Sequence, residues 1–299
     1  MSKKQISISL DLTEDSLFID LSYYIFYRYY AYFQWYEKAH NIKIDEKNIK
    51  DITSDIKVQN HFKELVIKKI NELKKKYKVK NNIFILKDCD RKTIWRNDEI
   101  NDYKAGRIRN NFVGQFYGMG IKEVVNNGNY QILSYDCLEA DDLGYLSVCE
   151  ILKVKDYDKN INIITNDNDY LQLLKYSDNI SIINLKSKDI SERNSYDSIE
   201  IFLQMKILNG DESDNIKSIF IIDNNKIKKI HNSLTGKEVR LTKALILDIA
   251  SNKNGSFDIY IKNNKSQLGL YDNYKKNQKL IDFEYIPSIY NGIIKVDII

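Results

Sequence analysis

The chain has 299 residues, of which 43% are hydrophobic and 29% charged, and its formal net charge is +4. One Pro and eleven Gly argue against a long disordered linker, so one large domain or two smaller ones are expected. The three Cys form no CxxC pair, which excludes a disulfide framework and predicts a reducing, intracellular and cytoplasmic location. No run of about 18 apolar residues occurs, so no membrane span is expected.

Short apolar runs alternate with helical patterns over the first 190 residues. The run Leu17-Phe18-Ile19 ends in Asp20, and a second run is followed directly by Lys87 and Asp88. This alternation predicts an α/β fold with a mostly parallel central sheet flanked by helices. The predicted strands are residues 17–20, 83–86, 130–133, 161–165 and 180–185.

The helical patterns include an aromatic-rich segment directly after the first strand, with Ser22 as a candidate cap. From about residue 191 the strand pattern stops, so we predict an α/β domain over residues 1–190 and a mainly helical region over 191–299. The stretch 112–128 contains four glycines and is expected to be loose before it ends in a helical piece. The other predicted helices are residues 61–77, 139–152, 199–208 and 241–250, and Asp169-Tyr170-Leu171 is expected to open a short helix.

Acidic residues follow three of the predicted strands. Because ligands bind at the carboxyl ends of parallel strands, Asp20, Asp88 and Asp167 are expected at one edge of the sheet. Each cluster alone would also fit solvated acids at a helix start. Their convergence instead favours a site for Mg²⁺ or Mn²⁺, since no His or Cys accompanies the carboxylates. The candidate ligands are Asp20, Asp88, Glu139, Asp141, Asp142, Asp167, Asp169 and Asp214.

A basic segment interleaved with aromatic residues follows Asp88, a pattern that suits a phosphate backbone. Within it, Lys104 and Arg107 are three residues apart and would share one helix face. Tyr23, at the start of the aromatic segment, is a candidate for base stacking, although a helix simply buried on one face explains the aromatics as well. The other candidate contacts to nucleic acid are Arg91, Lys92, Arg96, Arg109, Lys226, Lys228 and Lys229.

Several short motifs occur in a fixed order along the chain. They are Leu17-Phe18-Ile19-Asp20, Asp88, Tyr103-Lys104-Ala105-Gly106-Arg107, Glu139-Ala140-Asp141-Asp142, Thr165-Asn166-Asp167-Asn168-Asp169 and Gly210-Asp211-Glu212-Ser213-Asp214-Asn215. In this order they resemble the flap endonuclease/5′→3′ exonuclease family of structure-specific nucleases. The length of the chain and its ending Tyr285-Ile286-Pro287 are most similar to phage or large-virus members, for which the host cytoplasm is the expected location.

The resemblance implies a PIN/5′-nuclease-like fold that hydrolyses DNA at 5′ flaps, nicks or free 5′ ends in replication, repair or recombination. It implies two Mg²⁺ ions, with Mn²⁺ as a substitute, and makes residues 90–130 a helical arch for a single-stranded 5′ end. Lys104 and Arg107 would grip the scissile phosphate. The first ion would be held by Asp20, Asp88, Glu139 and Asp141, the second by Asp167, Asp169 and Asp214, with Asp142 within reach of either.

One departure concerns the loop after Asp214. Most family members continue there with a glycine-containing hairpin between two helices, whereas this chain has Lys217–Ile222 without glycine. Residues 191–299 are therefore expected to form an atypical helix-hairpin-helix, in which Lys226, Lys228 and Lys229 offer a different grip on the duplex. The expected partners are DNA with a single-stranded 5′ end, an RNA–DNA hybrid and replication proteins of unknown identity.

Three alternatives remain open beside the nuclease interpretation. A PIN-type ribonuclease shares the strand-end acids, but the length of the chain, the basic insert and the Asp214 loop disfavour it. A non-cleaving protein that binds DNA structures would be expected to lack several acids, and none of the expected ones is missing. An α/β domain with solvated acids would not explain why the motifs occur in this order.

Overall fold

A computed structural model describes residues 5–106, 114–222, 225–264 and 269–299. The elements up to residue 190 are β1 (Ile6–Leu10), β2 (Ser16–Asp20), α1 (Leu21–His40), α2 (Ile49–Ser54), α3 (Ile56–Tyr77), β3 (Ile83–Leu86), α4 (Gly114–Asn126), β4 (Gln131–Leu133), α5 (Ala140–Ile151), β5 (Ile161–Ile164) and β6 (Ile180–Ile183). The later elements are α6 (Ile199–Asn209), β7 (Ile221–Ile222), β8 (Asn225–Lys226), β9 (Lys229–His231), β10 (Glu238–Arg240), α7 (Lys243–Ala250), α8 (Leu270–Ile281) and β11 (Ile294–Ile298). Short 3₁₀ helices include Asn168–Lys175 and Glu212–Asp214.

The described residues form two compact units. The first unit contains the described residues within 1–93, 109–191 and 291–299. The second unit contains the described residues within 94–108 and 192–290. The predicted α/β domain over 1–190 differs from the first unit in two respects. Residues 94–106, part of the predicted arch, belong to the second unit. Residues 291–299 return to the first unit, because β11 pairs in parallel with β1 and places Ile294 opposite Ile6.

The first unit is built on a five-stranded parallel sheet with the order β4-β3-β2-β5-β6. In its centre, Leu17 of β2 lies opposite Ile83 of β3 and Asn162 of β5. Every residue of these three strands is buried, as is typical when helices cover both faces of a parallel sheet. The predicted α/β fold with a parallel central sheet is therefore confirmed.

The aromatic residues of α1 form the core against α3 and α4. Tyr24 is fully buried, and its hydroxyl donates a hydrogen bond to the Val66 carbonyl at 2.5 Å. Phe116 of α4 lies with its ring centroid 5.2 Å from that of Phe33 and 5.0 Å from that of Phe62. Most of the aromatic pattern of α1 is thus explained by burial of one helix face.

Residues 114–126 differ from the predicted loose stretch, since they form the helix α4. The reason for one of the glycines is close packing. A Cβ added at Gly120 would lie 2.8 Å from Cδ1 of Ile25 on α1. Gly120 therefore allows the two helices to approach closely, at a cost in helix propensity of about 1 kcal/mol relative to Ala.

The second unit contains short strands that the sequence analysis did not predict. β7 pairs with β8 and β9 pairs with β10, both antiparallel. Their two or three residues are too few to show an alternating apolar pattern. In the same unit, the side-chain amide of Asn277 on α8 donates to the Ile207 carbonyl of α6 at 2.9 Å. No helix in the described part of the chain is long and apolar enough to cross a membrane.

Replacing Phe116 by Ala tests the aromatic core. Phe116 is fully buried, so we expect the variant to lose about 3–5 kcal/mol of unfolding free energy, measured by urea denaturation. Val125→Ala on the same helix is the control, because Val125 is 37% exposed and should change stability by less than about 1 kcal/mol. Equal losses in the two variants would contradict the packing of α4 described above.

Candidate metal centre

Asp20 is the last residue of the central strand β2 and also the N-cap of α1. The Tyr23 backbone N–H donates to its Oδ1 at 3.0 Å, and the Thr165 hydroxyl donates to its Oδ2 at 2.9 Å. The cap is therefore Asp20 rather than the predicted Ser22, because Asp20 already has the extended backbone that a cap requires. Thr165 follows β5 directly. Its role in orienting Asp20 was not predicted from the sequence, although a hydroxyl residue next to a strand end could have indicated it.

Asp88 lies two residues beyond the end of β3 and connects three elements. The backbone N–H of Ala140, the first residue of α5, donates to its Oδ1 at 2.8 Å. The Ser22 hydroxyl of α1 donates to its Oδ2, and Ser22 also lies 2.7 Å from the Tyr117 hydroxyl of α4. Ser22 thus orients a carboxylate instead of capping a helix.

Three further acids lie at the start of α5. One carboxylate oxygen from each of Glu139, Asp141 and Asp142 lies within 4.8 Å of the others. The Glu139 N–H donates to Asp142 Oδ2 at 3.1 Å, and the Asp142 N–H donates to Asp141 Oδ1 at 2.9 Å. Glu139 and Asp142 are buried. The helix dipole favours acids here, but does not by itself explain their burial.

Asp167 and Asp169 follow β5 and open the 3₁₀ helix Asn168–Lys175. The Asp169 backbone N–H donates to Asp167 Oδ1 at 2.9 Å, so Asp167 caps this helix. The Asp167 N–H lies 3.2 Å from the Thr165 hydroxyl oxygen, which accepts it. Thr165 thereby links the carboxylate after β2 to the loop after β5.

Electrostatic repulsion from the other two strand-end acids acts on Asp20. Burial, followed by the negative charges of Asp88 and Asp167, raises the pKa of Asp20 to about 7. The hydrogen bonds from Tyr23 and Thr165 oppose this shift without cancelling it. The structure therefore brings together, at the carboxyl edge of the sheet, the acids that the strand pattern placed there.

These residues fit a divalent cation. The donors at this edge are carboxylate oxygens, which suit hard cations such as Mg²⁺, Mn²⁺ or Ca²⁺ better than zinc. A cation would also offset the burial and repulsion that keep Asp20 protonated near neutral pH. The carboxylate set can therefore hold a metal ion, and the ion would stabilise it.

Asp214 lies in the second unit, where its side chain contacts Tyr103 and Lys104. The Tyr103 hydroxyl donates to Asp214 Oδ2 at 3.0 Å, and the Lys104 ammonium lies 3.5 Å from the same oxygen. The Lys104 N–H also donates to the Asp214 carbonyl at 3.0 Å. Lys104 has a φ of +56°, a conformation that is unfavourable for a residue with a side chain. The ion pair and the backbone hydrogen bond with Asp214 hold Lys104 in this conformation.

Arg96 was predicted to contact nucleic acid, but the structure places its side chain in the interior of the second unit. It is 2% exposed, its Nε donates to the Leu280 carbonyl at 2.9 Å, and its guanidinium lies 4.5 Å from the Trp95 ring centroid. The alternation of basic and aromatic residues here reflects cation–π packing inside the second unit. Arg96 is therefore a structural residue.

The other predicted contacts to nucleic acid have varied environments. Tyr23 is half-buried, and its hydroxyl accepts the Leu185 N–H at 3.0 Å. Arg107 and Arg109 lie outside the described residues. The exposed candidates are Arg91, Lys92, Lys226, Lys228 and Lys229.

The fold and the site define an α/β protein with a carboxylate centre at the carboxyl edge of a parallel sheet. The chain belongs to the 5′-3′ exonuclease family, since residues 15–205 match the family model of the 5′-3′ exonuclease, N-terminal resolvase-like domain. It is 26% identical over 228 residues to the Ribonuclease H of Enterobacteria phage T4, covering 74% of this chain and 70% of that protein. It is 30% identical over 246 residues to the 5′-3′ exonuclease of Buchnera aphidicola subsp. Acyrthosiphon pisum, covering 77% and 80%.

Solved structures from phage T5 have the same fold. The T5 D15 protein co-crystallised with metal ions superposes with a TM-score of 0.57 at 16% identity, covering 93% of this chain and 95% of that one. A pseudo-enzyme-product complex of the T5 D15 flap endonuclease with DNA and metal ions gives 0.57 at 15% identity, covering 93% and 94%. The predicted family and its activity class, 5′-3′ exonuclease, are confirmed by the family model and the relatives together.

Asp20→Asn tests the repulsion at the sheet edge. Because the folded protein holds the Asp20 proton more tightly than the unfolded chain, this contribution to stability is present at pH 4 and is lost as the pH rises through about 7. In the metal-free protein at pH 8, the unfolding free energy of Asp20→Asn should therefore exceed that of the wild type by on the order of 2–4 kcal/mol. Urea unfolding in a chelator from pH 4 to 8 measures this difference.

The matched control is Asp158→Asn, since Asp158 is exposed and precedes β5 at the opposite edge of the sheet. Its effect on stability should stay within about 0.5 kcal/mol at every pH. Added Mg²⁺ should stabilise the wild type more than Asp20→Asn. A stability difference between wild type and Asp20→Asn that does not change with pH would contradict the assigned repulsion.

Proposed function

We propose that this chain is a two-metal-ion nuclease that hydrolyses DNA phosphodiester bonds at 5′ flaps, nicks or free 5′ ends. The observation that carries the proposal is the convergence of Asp20, Asp88 and Asp167 at the ends of neighbouring parallel strands, close enough to raise the pKa of Asp20. The family match supports the reaction class, and the DNA complex of the phage T5 relative supports DNA as the substrate.

We assign Asp20, Asp88, Glu139 and Asp141 to one Mg²⁺ ion, which Mn²⁺ can replace. Asp167 and Asp169 are assigned to the second, with Asp142 beside Glu139 supporting the set. Two such ions, when bound, activate the attacking water and stabilise the leaving oxygen. Thr165 and the Tyr23 N–H orient Asp20, while Ser22 and the Ala140 N–H orient Asp88.

For Asp214 and Lys104 we propose a role in the same reaction on the strength of the family motifs. Asp214 is the remaining candidate ligand. The Lys104 ammonium would stabilise the negative charge that develops on the phosphate oxygens, together with Arg107. The ion pair with Asp214 orients the Lys104 ammonium. Tyr103, which sequence reasoning had placed only among the interleaved aromatics, supports this pair through its hydroxyl.

An RNA–DNA hybrid is the second candidate substrate, favoured by the similarity to the phage T4 protein named Ribonuclease H. The two candidates are separated by comparing cleavage of a 5′-flap DNA with cleavage of the same flap carrying a 5′ RNA segment. Single-stranded RNA is included in the comparison, since a PIN-type ribonuclease would prefer it. A preference for single-stranded RNA over the flap would overturn the proposed function.

Asp167→Asn should lower the rate of flap cleavage in Mg²⁺ by more than about 100-fold, because a carboxylate that neutralises cation charge is removed. DNA binding should survive, since the exposed lysines remain. Cleavage is followed on a labelled 5′-flap substrate and binding by gel shift in Ca²⁺. Asp158→Asn, at the other end of β5, is the control and should retain full activity; Mg²⁺-dependent cleavage by Asp167→Asn at the wild-type rate would refute the metal assignment.

The lysines of the small hairpins should contribute to duplex binding. Each phosphate contact that is removed lowers the slope of log K against log salt by about 0.9, so replacing Lys226, Lys228 and Lys229 by Ala should lower it by nearly 3. The fluorescence anisotropy of a labelled duplex, measured over a salt series, gives this slope. The control replaces Lys68, Lys75 and Lys153, which are exposed in the first unit. An unchanged slope in the hairpin variant would place the duplex elsewhere.

A further inference from the structure

Tyr170 lies directly after Asp169 in the 3₁₀ helix Asn168–Lys175 and is 1% exposed. Its hydroxyl oxygen is buried and has no hydrogen-bond partner among the described residues. A buried polar group without a partner destabilises a folded protein, and native proteins contain few of them. The hydroxyl of Tyr170 therefore requires a partner other than the residues that the structure describes.

The ring of Tyr170 is held in place by a glycine on α5. A Cβ added at Gly144 would lie 3.0 Å from Cε1 of Tyr170 and 3.2 Å from Cδ1 of Leu86. Gly144 thus gives the ring its space, although Gly in a helix interior is unfavourable relative to Ala. Leu86 ends β3 directly opposite Asp20. The phenol is packed between α5 and the strand ends that carry the acids.

The environment of the hydroxyl is strongly acidic. Burial, and then the negative charges of Asp20, Asp141, Asp88 and Asp167, hold the pKa of Tyr170 well above its usual range. A phenol hydroxyl can donate one hydrogen bond. These four acids are candidate metal ligands from three strand ends and from the start of α5. The Tyr170 hydroxyl therefore lies near several carboxylates but makes no direct hydrogen bond to any of them.

We propose that Tyr170 is a positioning residue of the carboxylate centre, whose hydroxyl donates a hydrogen bond to a water molecule held among the acids. This proposal rests on the proposed metal-dependent function. A buried water typically makes about three hydrogen bonds, and the carboxylates would supply the others. The water fixed in this way orients the carboxylates for the cation. Asp169 and Tyr170 then contribute from adjacent positions, one as a ligand and the other through the bound water.

Tyr170→Phe removes only the hydroxyl and keeps the ring against Gly144. Loss of a group that orients metal ligands typically weakens metal binding 10- to 100-fold, so we expect the Mn²⁺ dissociation constant to rise by about 10-fold. Mn²⁺ binding is measured without nucleic acid by calorimetry and by the loss of the free-ion paramagnetic resonance signal. On flap DNA, kcat should fall at limiting Mn²⁺ while KM for DNA stays unchanged.

The control is Tyr24→Phe, which also removes a buried hydroxyl in the first unit. The Tyr24 hydroxyl has a partner, the Val66 carbonyl, and Val66 lies on α3. We expect Tyr24→Phe to lower the Tm and to leave the Mn²⁺ affinity unchanged. Tyr170→Phe, by contrast, should weaken Mn²⁺ binding. Circular dichroism of both variants verifies that each is folded before the Mn²⁺ titration.

The results separate this inference from the proposed function. If the wild type binds Mn²⁺ and Tyr170→Phe binds it equally well with a raised Tm, the hydroxyl is an unpaired group in a packing position and the inference is wrong. If the wild type itself binds no Mn²⁺, the proposed metal centre fails and the inference fails with it. Weaker Mn²⁺ binding by Tyr170→Phe, with Tyr24→Phe unchanged, supports both.

Discussion

The structure of the first unit depends on like charges that the sheet itself forces together. β2 pairs with both β3 and β5 in parallel, so the residues that follow these strands emerge at one edge. Asp20, Asp88 and Asp167 cannot separate unless the strands lose their pairing. Backbone N–H groups and hydroxyls reduce the repulsion only in part, because the pKa of Asp20 still rises to about 7. The fold thus maintains a concentration of negative charge that a bound cation would relieve.

The aromatic core behind the sheet stabilises the element that carries this charge. Asp20 starts α1, and the same helix contributes Tyr24, which is fully buried and hydrogen-bonded to α3. Large buried aromatic side chains contribute several kcal/mol each to stability, which is enough to oppose the cost of one buried carboxylate. α1 therefore joins the most stabilising part of the unit to its most destabilising residue. Asp20 cannot move away from Asp88 without disturbing the packing of the helix it caps.

The parts of the structure that sequence reasoning predicted are those that local chemistry determines. Short, largely apolar runs with an Asp at or shortly after their ends predicted both the three central strands of the sheet and the acids at its edge. Arg96 shows where this reasoning stops, since the same basic and aromatic residues can stack on bases or on one another, and only the fold decides. The pairing of β11 with β1 joins opposite ends of the chain and leaves no local pattern. Tyr170 was predicted to open a short helix, but the space that Gly144 leaves for its ring depends on packing across elements.

The donors to the acids orient the carboxylates of the first unit but leave their mutual repulsion uncompensated. In the described part of the chain, Asp20 and Asp88 accept hydrogen bonds from neutral groups: backbone N–H groups and the hydroxyls of Thr165 and Ser22. Asp214 of the second unit is different, because the Lys104 ammonium lies 3.5 Å away and compensates its charge within the protein. Neutral donors orient a carboxylate without neutralising it, whereas a lysine does both. A Lys in place of Thr165 or Ser22 would satisfy the same oxygens and remove the electrostatic reason for the centre to bind a cation.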